Sequence, residues 1–175
     1  MLKIKFSLVC LSVFLLLGCV NNSDNSLSSK AGAPLLKGLG NHTHKISSNI
    51  YGVQRYFDQG LVLAFAFNHA ESIRSFKAAQ KLDPSCAMCF WGEALALGPN
   101  INVNSDGKVI MAPQNRLAAF KAINTAIALS NSISDKERAY ISALASRYDG
   151  NPDTNREPLD IAYANSMEIL SVVLK

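Results

Sequence analysis

Residues 56–84 read YFDQGLVLAFAFNHAESIRSFKAAQKLDP, and the reading of this stretch decides the fold. Tyr56, Gly60, Leu63 and Ala64 recur at helical spacing. Asn68 interrupts the run. With Glu71 three positions later it has the form of a capping box, so a second helix is predicted to begin near His69. The stripe Ile73, Phe76, Ala79 and Leu82 supplies that helix with a packing face, while Arg74, Lys77 and Lys81 read as its solvated side. Asp83-Pro84 ends it, because proline resists helical geometry at the residue before it. Two helices and a short turn in about 34 residues make an antiparallel hairpin of repeat-unit size.

This hairpin resembles the tetratricopeptide repeat (TPR). Tyr56 stands at the fourth position of the unit, Gly60 at the eighth, Ser72 at the twentieth, Phe76 at the twenty-fourth, Ala79 at the twenty-seventh and Pro84 at the thirty-second. A next unit starts at Ala87, with Phe90 and Ala94 at its fourth and eighth positions. Ser72 replaces the usual alanine, and His69 stands where an aromatic is common. The longer phrase, continued by LDPSCAMCFWGEALALGPNIN and preceded by GLGNHTHKIS, is similar to a group of bacterial exported repeat proteins of poorly defined activity. That likeness runs from Gly38 to Lys175. It implies an all-α fold of helical hairpins stacked as a repeat array, and it lends no catalytic residues.

Downstream, Gly98-Pro99-Asn100 breaks the second unit after one helix. Helical spacing resumes over Gln114–Ser130, with Ala119, Ile123, Ala126 and Leu129 on one face. Ser134 and Glu137 form another capping-box pattern ahead of Ala139, Ile141, Leu144 and Tyr148. Pro158 opens a last helix carrying Leu159, Ala162, Met167, Leu170 and Val173. No polar terminal face follows, as repeat arrays need, so the expectation is an N-terminal part of a longer solenoid.

The other end reads as an address. Met1–Lys5 is positively charged and Phe6–Leu17 is apolar but too short to span a bilayer, which suits a secretory signal over residues 1–18. Leu16-Leu17-Gly18-Cys19 resembles the lipobox of bacterial lipoproteins, which implies cleavage before Cys19 and a lipid on its sulfur. Residues 20–31, VNNSDNSLSSKA, bring few large apolar groups, so 19–49 is expected to be a flexible tether and lead-in loop, with the repeat domain over 50–175. The expected location is the bacterial cell envelope, lipid-anchored on the periplasmic side.

Charge narrows the function. The formal net charge is +4. Without Lys3 and Lys5 fifteen basic residues face thirteen acidic ones, too small an excess for a nucleic-acid footprint. No phosphate loop, G-x-S-x-G or paired-carboxylate signal nominates an enzyme. Asn102-x-Asn104-x-Asp106-Gly107 mimics the start of a calcium loop, but Pro113 stands where the twelfth-position Glu belongs.

Cys86-Ala87-Met88-Cys89 is the sharpest local feature, at the start of a helix where the dipole lowers a thiol's pKa. It reads as a dithiol switch, a pair of soft ligands, or two small buried residues bridged locally; Phe90 excludes haem attachment, which needs His there. His42, His44 and His69 could join the cysteines around Cu or Zn. No cofactor follows from the sequence beyond that candidate set.

The TPR likeness also implies a concave surface lined by Gln54, Phe57, Leu61 and Ala64, then Met88, Trp91, Leu95 and Gly98. A groove with Phe57, Leu61, Met88, Trp91 and Leu95 is too apolar to stay solvated. Either a protein or peptide partner fills it, or the chain covers it, with residues 34–50 or further repeats available for that. The expected function is an envelope-anchored interaction scaffold, not an enzyme; the alternative is a metal-binding or thiol-redox module built on Cys86, Cys89 and nearby histidines.

Overall fold

A computed structural model describes residues 22–99 and 111–173. The signal segment, the lipid-attachment candidate Cys19 and the calcium-like residues Asn102–Asp106 lie outside the described residues. Among those described, the chain is all-helical: α1 (Asn22–Ala31), α2 (Val53–Phe65), α3 (His69–Leu82), α4 (Ala87–Leu97), α5 (Pro113–Ala128), α6 (Asp135–Ala145) and α7 (Glu157–Val173), with a 3-10 turn at Ser130–Ser132. None of these helices is long and apolar enough to cross a membrane.

Each helix packs on the next, from α2 through to α7. The α2–α3 pair is antiparallel. Ser72 Oγ donates to the Gly60 carbonyl at 2.6 Å, and Gln59 Nε2 donates to Ser75 Oγ at 2.9 Å, so the partners run in opposite directions. The α3–α4 pair follows the same rule, with Gln80 Nε2 reaching Glu93 Oε2 at 2.7 Å and the Cys89 carbonyl at 3.2 Å. Lys77 lies 3.4 Å from Glu93 and sets a cation beside this buried side chain.

Helix α4 is the centre of the fold. Its sequence AMCFWGEALAL is apolar nearly all round, and nine of its eleven residues are buried. The Phe76 ring of α3 fits between α2 and α4 because both present glycine to it. A Cβ on Gly60 would lie 2.9 Å from that ring, and one on Gly92 would overlap it outright. Phe57 of α2 and Trp91 of α4, 34 positions apart, stack with ring centroids 6.4 Å apart. Tyr148, just past α6, donates to the Ala94 carbonyl at 2.7 Å, and burial pushes its phenol pKa up.

Helix boundaries follow the local chemistry with one exception. Ser134 Oγ accepts from the Glu137 amide and the Glu137 carboxylate accepts from the Ser134 amide, so the capping box at α6 is complete. At α3 the helix does start at His69, but the Asn68 side chain makes no capping bond. Phe67 takes a left-handed φ of 61°, which is uncommon for an aromatic, and its ring meets the edge of His69.

The tether expected over residues 20–31 is folded where it is described. Asn22–Ala31 is helical, Leu27 and Ala31 are buried in the common core, and Asp24 pairs with Arg55 at 2.6 Å. Composition misled because two apolar side chains, correctly placed, are enough to dock a helix that would not form alone. Gly52 receives Leu27: its φ is +88°, and a Cβ there would lie 2.6 Å from the leucine methyl.

Candidate functional site

Residues 33–50, which contain no helix or strand and bend at 37–39, 41 and 47, form a strap across the helices, and side chains capture its main chain along the way. Tyr56 Oη donates to the Ala33 carbonyl at 2.6 Å. Gln59 accepts from the Leu36 amide at 2.7 Å and donates to the Pro34 carbonyl at 3.1 Å. Asp58 accepts from the His44 amide at 3.0 Å. Gln54 donates to the His44 carbonyl at 2.9 Å and accepts from the Ile46 amide at 3.1 Å. Glu137, at the start of α6, accepts from the Ser47 amide at 2.6 Å and also from the Ser47 hydroxyl. Ser48 Oγ ends the run by donating to Asp83 at 2.6 Å, in the turn between α3 and α4. A segment without regular secondary structure satisfies few of its own backbone groups, so the helices hold it largely by supplying partners from side chains.

Two carboxylates in this network are held ionised. Burial pushes the Glu137 pKa up, but hydrogen bonds from the hydroxyls and amides of Ser47 and Ser134 outweigh it and leave the group below its ordinary value. Asp83 shows the same balance, with Ser48 and Ser85 as donors. His44 goes the other way for a base: burial disfavours its charged form, Lys136 and His42 add to that, and Asp58 and Glu137 only partly offset it. Its ring sits against Phe57 at 6.1 Å and edge-on to Tyr140 of α6 at 5.7 Å. Clefts flank the strap on both sides. One of about 330 Å³ lies beside Leu35–Thr43 and α2, and one of about 660 Å³ lies between residues 43–49 and the start of α6.

The residues expected to line a partner groove are therefore covered. Phe57, Leu61, Met88 and Trp91 are buried and Leu95 is half-buried. Phe57 meets the strap's His44, while Trp91 packs against Tyr140 at 5.9 Å and donates through Nε1 to the Tyr140 carbonyl at 3.1 Å. Of the two coverings the sequence left open, the chain itself supplies this one. The reason is the apolar character that flagged the groove: surface of that kind is buried by whatever is nearest in the chain.

The cysteine and histidine candidates are not brought together. Cys86 and Cys89 form a disulfide, both residues are buried, and Cys86 Sγ also accepts from the Cys89 amide at the start of α4. A bonded pair offers no thiolates to a metal. His42 is exposed, His44 belongs to the strap, and His69 is the first residue of α3, with both ring nitrogens closed off from solvent. Among the described residues no three His, Cys, Asp or Glu side chains converge as a metal site.

Sequence reasoning passed over Asp58, Gln59, Glu137 and Tyr140. Gln59 carried a usable signal, a polar side chain inside the apolar stripe of α2. Glu137 did not, because its part in the helix cap already accounted for it. No protein-family model matches the chain, and neither curated proteins nor solved structures give a match.

Proposed function

We propose that the chain is an envelope-anchored, TPR-like scaffold whose concave face receives extended peptide segments, and that it works by binding and not by catalysis. The observation that supports this reading is the strap. The face made by α2 and α6 already carries a segment free of helix and strand, held mainly through main-chain groups by Gln54, Asp58, Gln59 and Glu137. Recognition through the main chain tolerates many sequences, while the pocket between Phe57 and Tyr140 favours a flat ring at one position. The 34-residue step from Phe57 to Trp91 and the glycine-lined seat of Phe76 are what a TPR array would require. The metal or thiol-redox reading gains nothing from the geometry of the bonded, buried cysteines.

The test replaces residues 41–48 by a Gly/Ser segment of equal length and titrates the variant with a synthetic peptide of residues 41–50. Calorimetry should show saturable binding to the variant, none to the parent chain, and none for a scrambled peptide. A variant that keeps its helical circular dichroism yet binds neither peptide, or both equally, would remove the peptide-scaffold reading.

A further inference from the structure

Helix α1 changes what a lipid on Cys19 would do. A flexible tether would let the domain tumble away from its anchor. Here the described chain starts in a helix that is fixed to the body, with Leu27 buried beneath Gly52 and Asp24 bound to Arg55. Asp24 is five residues from Cys19, a distance that even a fully extended chain spans in at most about 18 Å. Whatever surrounds Asp24 is therefore held close to the anchored residue.

Its surroundings have an unusual make-up for a solvated surface. Arg55 pairs with Asp24 at 2.6 Å, Tyr51 lies near enough to favour the charged guanidinium, and Lys37 helps to hold the Asp24 carboxylate ionised. Tyr51 is 66% exposed, its neighbour Ile50 49%, and Leu36, which shares a cleft with Arg55, 41%. Three exposed apolar or aromatic side chains thus stand near Lys37 and the Arg55–Asp24 pair, close to the first turn of α1. Tyrosine prefers the headgroup level of a bilayer, aliphatic side chains enter its upper acyl region, and Lys and Arg reach the phosphates.

We infer that the face formed by Leu36, Lys37, Ile50, Tyr51 and Arg55 lies against the anionic phospholipid surface to which the chain is anchored. The inference rests on the anchored reading proposed above, because acylation at Cys19 is what brings this face to the membrane. It fixes an orientation: the α2 N-terminus faces the lipid, and Phe65 at the other end, about 20 Å away along the helix, faces away.

The experiment uses the full acylated chain in vesicles of phosphatidylethanolamine and phosphatidylglycerol, with and without bromine on the acyl chains. Two exposed positions are replaced singly, Tyr51→Trp and Phe65→Trp, and the parent chain supplies the Trp91 background. Mass spectrometry first establishes the acyl group on Cys19. The expected result is that the brominated lipid removes about half or more of the added emission in Tyr51→Trp and leaves Phe65→Trp unchanged. Acylated protein in which neither position is quenched, or both are equally, overturns the orientation and leaves the anchor standing. A Cys19 without lipid in the native host overturns both.

Discussion

Two faces of the molecule bury apolar surface in opposite ways. Across α2 and α6, the strap lies against Phe57, five side chains of these helices (Gln54, Tyr56, Asp58, Gln59 and Glu137) tie its backbone down, and Asp83 takes the Ser48 hydroxyl. On α7 Leu170 is the one buried residue, while Ile161, Ile169, Val172 and Val173 stand more than half exposed. A helix closes its neighbour with apolar contact alone, since its own backbone is already satisfied. An extended segment does so only where polar side chains are interleaved with the apolar ones. Gln54, Asp58 and Gln59 are thus the mark of a face built to be covered by strand-like chain.

The strongest way to break the contrast is Phe57→Ala. It removes a fully buried ring that meets the strap, α3 and α4 at once, and should destabilise the fold by about 3–5 kcal/mol in urea unfolding. A loss under about 1 kcal/mol would mean the strap side is no better packed than α7. Next is Glu137→Ala, which strips the cap of α6 and leaves the Ser47 amide without its acceptor; a loss of about 2–3 kcal/mol is expected from the same measurement.

Acid sharpens the comparison further. The folded pKa of His44 is depressed below 6.5, so the unfolded chain takes up the proton first and stability falls as pH drops below that value. Glu137 and Asp83 have folded pKa values below 4.5 and 3.8, so their contribution is present above those values and is lost as pH falls through the folded pKa of each. Thermal melts should therefore show two successive declines on acidification. His44→Phe, which keeps an aromatic ring against Phe57 and Tyr140, should abolish the first and keep the second. At the quiet end, Val172→Ser on α7 should change stability by less than about 0.5 kcal/mol, since it removes no buried contact.

The α2–α3 hairpin was legible because three signals agreed, apolar spacing, a stop at Asp83-Pro84 and the small-and-large pattern of Gly60, Ser72 and Phe76, even though the capping bond expected of Asn68 is not made. The buried groove was legible as a problem, since Phe57, Leu61, Met88 and Trp91 could not stay wet. Its solution was not, because the bonds that hold the strap join partners far apart in sequence. Ser47 and Glu137 are 90 positions apart, and nothing local to either announces the other. Helix α1 was missed for a related reason: Asn22–Ala31 is docked by tertiary contacts, with Gly52, Arg55 and α3, and composition does not see contacts.

The seat of Phe76 between Gly60 and Gly92 has a mechanical consequence. One ring engages both flanking helices with no side chain to act as a spacer, so neither α2 nor α4 can slide along α3 without the ring striking the other. The first three hairpin helices should then behave as a stiff block. If the strap-bearing face exchanges its occupant as proposed, the accompanying change of shape would fall to the joints among α5, α6 and α7. Hydrogen exchange should find slow, uniform opening across α2–α4 and a gradient of faster opening toward α7.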